Sequence, residues 1–142
     1  MSTRNYKTMV TISKKTYVPV QNRGVPSTHY EICDGDTKIG TLSAFASDVG
    51  EHPYTNKPDK DIFYLGAFMI YREHRRKGYG RQILRKVKED YKGKVLVLDA
   101  HAFDGLLQED LTNFYASEGF KFISEKEKNK AEGKAQRMFI EL

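Results

Sequence analysis

A change of hydrophobic period within residues 62–98 constrains the fold of this sequence more than any other feature. Residues 62–71 are apolar almost without interruption, as in a strand buried on both faces. After a short basic stretch, apolar side chains return at every fourth position, which is typical of an amphipathic helix. These side chains are Tyr79, Ile83, Val87 and Tyr91. A further apolar run at 95–98 follows, so the order strand, helix, strand predicts a parallel pair with a right-handed crossover.

The segments before this unit indicate strands rather than helices. Residues 6–12 are rich in β-formers and predict a first strand. Two strand-like runs, 28–33 and 38–45, flank an Asp-Gly turn signal and predict a hairpin. The stretches between the runs contain Pro and Gly without a helical period, so they predict loops, the second of them at the surface. These stretches are 13–27 and 46–60.

The segments after residue 98 predict a second helix and two closing strands. Asp104 is placed to cap this helix, and Gly119 suits the position after its last turn. The apolar stripe of the helix would consist of Leu107, Leu111 and Phe114. The closing strands and their solvated connection are 120–124, 137–142 and 125–136. We therefore expect one mixed α/β domain over residues 1–142, with a mostly antiparallel sheet around one parallel pair.

Positive charge is concentrated in one part of the chain. Residues 72–94 carry ten Lys and Arg against three acidic residues, a net charge of +7, whereas the whole chain is +5. Nucleic-acid binders usually spread basic charge over a wider face, so nucleic acid is not the expected partner. The concentration predicts a local polyanion instead, such as a phosphate-bearing cofactor.

Several classes of protein do not fit the composition. The single cysteine, Cys33, cannot form an internal disulfide and leaves no cluster for structural zinc. No metal is expected, because the four histidines are dispersed in the sequence. No apolar run reaches the roughly 18 residues of a membrane span. The N-terminal residues lack the apolar stretch of a secretory signal, so we expect a cytoplasmic location.

The basic stretch at 75–81 has the chemistry of a phosphate loop. A helix start presents unpaired backbone N–H groups and partial positive charge, and glycines at positions 78 and 80 let phosphate oxygens approach the backbone. A Walker loop does not occur in the sequence, and the Rossmann pattern would need a glycine where Ile83 stands. The candidate cofactor-binding residues are Arg75, Arg76, Lys77, Gly78, Tyr79, Gly80 and Arg81.

Two motifs carry a resemblance to a known family. Arg75-x-x-Gly78-x-Gly80 resembles the Arg/Gln-x-x-Gly-x-Gly/Ala signature of the GNAT superfamily of acyl-CoA N-acyltransferases. Tyr115-x-x-x-Gly119-Phe120 resembles the element that ends the later helix of that family, and it lies 35 residues after Gly80 with the expected strand between. The resemblance covers roughly residues 28–142 and implies acetyl-CoA as co-substrate.

The resemblance also implies residue roles. The parallel pair would be splayed, and the backbone of Phe68, Met69 and Ile70 would pair with the pantetheine arm of the cofactor. Tyr115 would protonate the departing CoA thiolate, as a tyrosine can. Gln108 stands where the family commonly places an Asn that contacts the cofactor. The paired N-terminal helices, which build much of the acceptor site in the family, are reduced or absent in this sequence. The resemblance therefore does not identify the acceptor.

The acceptor side therefore keeps several alternatives. The leading hypothesis is acetyl transfer to a primary amine of a small molecule or protein, by direct attack in a ternary complex. Acetylation of aminoacyl-tRNA, or a non-catalytic module that binds acyl-CoA or nucleic acid, are the alternatives. The amine could lose its proton to bulk water or to a basic side chain. The sequence also leaves the oligomeric state undetermined, with a homodimer as one alternative. The candidate bases are His52, Asp61, Asp99 and His101.

Overall fold

The computed structural model describes residues 10–17, 27–46, 52–131 and 133–142. Its strands are β1 (Val10–Tyr17), β2 (Ser27–Asp34), β3 (Thr37–Ala46), β4 (Ile62–Ile70), β5 (Val95–Ala100), β6 (Lys121–Phe122) and β7 (Gln136–Glu141). Its helices are α1 (Tyr79–Asp90), α2 (Gln108–Ser117) and α3 (Glu125–Lys128), with short 3-10 turns at Asp59–Asp61 and Arg72–His74. Among the described residues, no helix is long and apolar enough to span a membrane.

The strands form a mixed sheet in the order β1-β2-β3-β4-β5-β7-β6. β4 and β5 are parallel, whereas β1–β2, β5–β7 and β6–β7 are antiparallel. This arrangement confirms the predicted fold class. The parallel register joins only Ile62–Leu65 to Val95–Leu98, although β4 continues to Ile70 and β5 to Ala100. The described parallel register thus ends at Leu65 on β4 and at Leu98 on β5.

The chain divides into two compact units. Unit 1 comprises residues 1–44 and 67–90, and unit 2 comprises residues 45–66 and 91–142. In unit 1, α1 packs against β2, and the Tyr30 hydroxyl donates to Asp90 Oδ2 at 2.9 Å. Lys14 and Lys86 both form ion pairs with Asp90. Their positive charges also stabilise the C-terminus of α1, because a helix C-terminus carries partial negative charge. The buried apolar side chains of unit 1 include Ile32, Ile39, Leu42, Ile83, Leu84 and Val87.

In unit 2, β5 is the most deeply buried element. β5 lies between β4 and β7, and five of its six residues are buried. Because successive side chains of a strand point to opposite faces, apolar residues at neighbouring positions mean that both faces of this strand are covered. On one face, Tyr54 and Phe139 pack their rings 4.8 Å apart over the cluster of Ile62, Val95 and Val97. The buried residues of this unit include Leu65, Leu96, Leu98, Ala100, Phe120 and Met138.

A close backbone approach in unit 1 fixes the end of β4 against β3. A Cβ added at Gly40 would lie 2.4 Å from the Met69 carbonyl oxygen, so only glycine fits. Nearby, Ala67 has a φ of 51°, a left-handed conformation that interrupts the regular pleat. Its carbonyl accepts a hydrogen bond from Thr41 Oγ1 at 3.0 Å. The Tyr71 N–H then donates to Ile39 O at 2.8 Å, which continues the attachment past the end of the strand.

The N-terminal half of the sequence follows the predictions with two corrections. The hairpin is confirmed, with Gly35 in a left-handed turn at φ 61°. β1 is longer than predicted, because residues 13–17 continue the strand, and Thr16 pairs across to Thr28 at 3.1 Å between hydroxyls. The expectation of a β4 buried on both faces is wrong for its second half, where Met69 is 41% exposed. Residues 6–9, 18–26 and 47–51, parts of three predicted segments, lie outside the described residues.

Three predictions for the C-terminal part are also wrong. Asp104 does not cap α2, because Asp104 and Gly105 both adopt left-handed φ values and the helix begins only after Leu107. Leu107 is 67% exposed and belongs to no apolar stripe. The connection predicted at 125–136 contains α3, whose N–H at Glu127 is capped by the Ser124 hydroxyl at 3.2 Å.

The close approach at Gly40 generates a stability prediction. Gly40→Ala should lower the free energy of unfolding by about 3 kcal/mol, the upper end for overpacking, because its methyl group meets backbone that cannot yield. Urea unfolding measures the loss. Gly35→Ala is the control, since it meets no atom within 4 Å and should cost only the roughly 1 kcal/mol of left-handed strain. Equal losses in the two variants would contradict the prediction.

Candidate active site

The predicted phosphate loop of unit 1 is tied to the end of β4. The 3-10 turn Arg72–His74 turns the chain, and the Arg75 N–H donates to Arg72 O at 3.3 Å. The Arg75 side chain then reaches back, and its Nε donates to Ile70 O at 2.8 Å. The structure therefore brings Ile70 and Arg75 together. Arg75 helps to shape the loop, whatever ligand the loop binds.

The loop backbone forms a concave turn before α1. Arg76 has a φ of 63° and Gly78 a φ of 84°, with Lys77 between these two left-handed residues. Such alternation directs successive N–H groups towards one side, where they favour an anion. A Cβ added at Gly78 would meet no atom within 4 Å, so the turn opens towards free space. The first helical bond runs from Gln82 N–H to Gly78 O at 3.1 Å.

The start of α1 has the polarity that an anion requires. The N–H groups of the first helical turn point out of the helix towards its N-terminus, and the helix dipole adds partial positive charge there. No acidic side chain lies in this first turn. Tyr79, Gly80 and Arg81 occupy it, as the sequence predicted. The geometry and charge of residues 75–81 fit a phosphate or pyrophosphate group.

The second half of β4 leads into this loop. Phe68, Met69 and Ile70 are held on the β3 side by the close approach at Gly40. The described register that joins β4 to β5 covers Ile62–Leu65 and ends before these residues. In the predicted contact, the pantetheine arm would run along the backbone of this segment as an added strand does.

Tyr115 lies in unit 2 on α2, and its side chain is deeply buried. The residue is 7% exposed, and its ring lies 5.3 Å from that of Phe114 and 5.7 Å from that of Phe120. Burial raises the pKa of the Tyr115 phenol well above its usual value of about 10. The phenol therefore keeps its proton at neutral pH, which is the state that a general acid must have.

Gln108 also lies in unit 2, as the first residue of α2. Its Nε2 donates to Ala100 O and to Gln136 Oε1, both at 2.8 Å. Its Oε1 accepts the Ala102 N–H, also at 2.8 Å. Both amide hydrogens are thus used within the protein, which leaves the predicted cofactor contact without a donor from this side chain.

Among the candidate bases, Asp99 has the most defined surroundings. The Tyr64 hydroxyl donates to Asp99 Oδ2, and Arg137 donates through Nε at 2.8 Å and through Nη2 at 3.0 Å. Burial alone would raise the pKa of Asp99, but the hydrogen bonds from Arg137 and Tyr64 outweigh burial and hold it below its usual value. Burial and the bond to Asp99 raise the pKa of Tyr64 to about 12. A carboxylate held ionised in this way is a weak base.

The other candidate bases are placed differently. Asp61 pairs with Lys94 at 2.7 Å, and that hydrogen bond lowers the pKa of its carboxyl group. His101 is exposed on the residues after β5. The His52 side chain is 5% exposed and its Nδ1 lies 3.0 Å from the Tyr54 hydroxyl. Its Nε2 is 3.4 Å from Asp59 Oδ1 without hydrogen-bond geometry. Through these contacts, Asp61 and His52 help to hold the local structure.

The sequence did not indicate Tyr64, Arg137 or Gln136 as partners at these positions. Arg137 lies opposite Asp99, and Gln136 opposite Ala100, only because the antiparallel β5–β7 register aligns them. Such a register joins residues almost forty positions apart, and no local motif marks it. Among the described residues, no three His, Cys, Asp or Glu side chains cluster as ligands for a metal ion.

The left-handed turn and the helix start of unit 1 have the geometry and charge that fit a phosphate group. The model of a family described as "Acetyltransferase (GNAT) domain" matches residues 26–122. That match covers more than half of the chain, so this protein belongs to the GNAT acetyltransferase family. A comparison with curated protein sequences found no match.

Solved structures of GNAT proteins share the fold at low sequence identity. The ribosomal-protein-S18-alanine N-acetyltransferase of Escherichia coli is 14% identical, with 94% of each chain covered and a TM-score of 0.65. The Bacillus subtilis N-acetyltransferase YlbP in complex with coenzyme A is 15% identical, with 87% of this chain and 74% of that chain covered and a TM-score of 0.59. A GNAT-family protein from Bacteroides thetaiotaomicron is 20% identical with a TM-score of 0.56, and this chain spans 62% of its length.

The Asp99 cluster generates a pH prediction. At pH 7, Asp99→Asn should lower the free energy of unfolding by about 1–3 kcal/mol, the range for hydrogen bonds to charged groups. Because the pKa of Asp99 is lower in the folded protein, this contribution is present above the unfolded pKa of about 3.9 and is lost as pH falls through the folded value. Urea unfolding at pH 7, 5 and 3 should show the difference between variant and wild type shrinking at pH 3.

Asp36→Asn is the control for this pH series. Asp36 is an exposed carboxylate in the β2–β3 turn, so its substitution should change the free energy of unfolding by less than about 0.5 kcal/mol. If the effect of Asp99→Asn were the same at all three pH values, the loss would lie in packing rather than in the charge of Asp99.

Proposed function

We propose that this protein is an acetyl-CoA-dependent N-acetyltransferase. It transfers the acetyl group to a primary amine of a small molecule or protein by direct attack in a ternary complex. The observation that carries the proposal is the open, left-handed turn at 75–81 before α1, in a chain of the GNAT family. The fold of the YlbP complex with coenzyme A supports the same donor.

The donor site is assigned to unit 1. The backbone N–H groups of the turn and of the first turn of α1 bind the pyrophosphate, and Arg76, Lys77 and Arg81 add positive charge. The backbone of residues 68–70 pairs with the amides of the pantetheine arm. Exposure of Met69 supports this assignment, since an arm bound there needs access to the strand.

The chemistry assigned to Tyr115 is protonation of the leaving group. The neutral amine attacks the thioester carbonyl, a C–N bond forms, and the C–S bond breaks. The phenol of Tyr115 gives its proton to the departing sulfur, and its raised pKa keeps it protonated until that step. The amine gives its proton to bulk water, and the Tyr115 phenolate regains a proton from water. Asp99 has no part in this step, because its oxygens are occupied by Arg137 and Tyr64.

The acceptor class is a separate part of the proposal. Of the structural neighbours, the Escherichia coli enzyme named for the S18 alanine covers 94% of this chain and is itself covered to 94%. That matched extent supports testing an amine of a protein first. Small polyamines, lysine and charged tRNA complete the panel. Release of CoA thiol with each acceptor, against acetyl-CoA alone, identifies the class, and no release with any acceptor would contradict the function.

The role of Tyr115 generates a kinetic prediction. With an active acceptor from the panel, Tyr115→Phe should lower kcat by about 10²-fold, the lower end for general acid catalysis, and change the acetyl-CoA Kd less than twofold. Stopped-flow thiol release and calorimetric titration measure the two quantities. Tyr91→Phe is the matched control, because Tyr91 packs against Phe63 at 4.7 Å and has no assigned role. An unchanged kcat in Tyr115→Phe would remove Tyr115 from the mechanism.

The loop generates a binding prediction. Gly78→Ala should weaken acetyl-CoA binding about tenfold, equivalent to 1.4 kcal/mol, because a side chain resists the φ of 84° and shifts the N–H groups that face the phosphates. Gly93→Ala is the matched control, with a φ of 87° and open space around it. It should lose similar stability and keep its affinity. Binding of acetyl-pantetheine, which lacks the pyrophosphate, should be the same in Gly78→Ala as in the wild type.

A further inference from the structure

We infer that Gln108 and Gln136 form an amide brace that positions Tyr115, and that Gln108 does not bind the cofactor. The inference rests on the proposed function, because it assigns the brace to the proton transfer by Tyr115. It reassigns a residue that the family resemblance placed at the cofactor. The brace consists of the two side-chain amides and the backbone groups they bond, all within unit 2.

The Gln108 amide is used almost completely inside the protein. A glutamine amide offers two N–H donors and one carbonyl oxygen. Both donors are taken, by Ala100 O and by Gln136 Oε1, each at 2.8 Å. The oxygen accepts the Ala102 N–H at 2.8 Å. The side chain therefore ties the start of α2 to the last residue of β5 and to the chain just after it.

Gln136 supplies the other half of the brace. Gln136 is 8% exposed and stands opposite Ala100 in the β5–β7 register. Its Nε2 donates to Glu127 O at 3.1 Å and to Lys128 O at 3.0 Å, the last carbonyls of α3. The Glu127 carbonyl also accepts the Lys130 N–H at 3.4 Å, so Gln136 supplements the weak hydrogen bonding at the end of this short helix. Gln136 Oε1 accepts the hydrogen bond from Gln108 Nε2. All four side-chain amide hydrogens of the two glutamines are therefore bonded.

The brace bears on Tyr115 through the geometry of α2. Gln108 is the first residue of the helix, and the preceding Leu107 provides no side-chain cap. Tyr115 follows seven residues later, close to two helical turns, so both side chains project from nearly the same side of α2 about 10 Å apart. A change in the position of the helix start therefore moves the phenol. Proton transfer needs its oxygen within about 3 Å of the sulfur, and small misplacements are costly.

A kinetic double-mutant cycle tests this coupling. Gln108→Ala should lower kcat about tenfold in the wild-type background and change the acetyl-CoA Kd less than twofold. In the Tyr115→Phe background it should leave kcat unchanged, because the proton donor that it positions is already absent. Thr55→Ala is the control, since it removes a side-chain hydrogen bond of unit 2, from Lys57 N–H to Thr55 Oγ1 at 3.2 Å, that involves no part of the brace. It should leave kcat unchanged in both backgrounds.

Amide hydrogen exchange tests the brace without reference to activity. Gln108→Ala and Gln136→Ala should each speed exchange in α2 at least tenfold, while α1 in unit 1 keeps its protection. Gln136→Ala should also speed exchange in the residues of α3, because it removes two hydrogen bonds to the carbonyls of Glu127 and Lys128. Unchanged exchange in α2 would overturn the brace even if no acceptor supports transfer.

Two kinetic results would overturn the positioning role. A raised acetyl-CoA Kd with unchanged kcat in Gln108→Ala would return the residue to the cofactor site. A loss of kcat that is the same in the Tyr115→Phe background would make its action independent of Tyr115. If the wild type transfers acetyl to no acceptor while the exchange results hold, the proposed function fails and the structural brace stands.

Discussion

The end of the parallel ladder at Leu65 and Leu98 is the constraint on which the rest of the structure depends. Up to that point, hydrogen bonds between β4 and β5 hold the two strands together. Beyond it, β3 holds β4 through the close approach at Gly40 and the bond from Tyr71 to Ile39. The left-handed Ala67 lies just after the end of the ladder. Within unit 1, the loop that follows β4 and the helix start take their positions from this attachment to β3.

The end of β5 pairs with β7 along one edge, and side chains reinforce it. Arg137 binds the Asp99 carboxylate with two N–H groups, and Gln108 bonds the Ala100 carbonyl. A buried polar group needs such a partner, because an unbonded one costs about 1–3 kcal/mol. The amide thus satisfies a backbone carbonyl at the end of the strand, and the guanidinium compensates the charge of the carboxylate beside it.

Features set by local chemistry were predictable, and features set by long-range register were not. The period of α1, the Asp-Gly turn and the glycine-containing loop each follow from neighbouring residues. The Ser124 cap is also a local feature, because Ser-x-x-Glu is a signature of a helix start. The high charge of the same stretch predicts a solvated connection instead, and that prediction misses the helix. The partners of Asp99 and Gln108 depend on how β7 aligns with β5, and a single sequence does not contain that alignment. The exposure of Met69 depends on strand pairing in the same way.

Burial of Tyr115 has a consequence for how the rate depends on pH under the proposed reaction. A phenol that keeps its proton throughout the neutral range contributes no ionisation of its own there. Asp99, which stays ionised, contributes none either. The fall of the rate at low pH is then set by the pKa of the acceptor amine, because only the neutral amine attacks. Two acceptors of different basicity would trace two displaced curves on one enzyme, and the displacement would report the acceptor nitrogen rather than the protein.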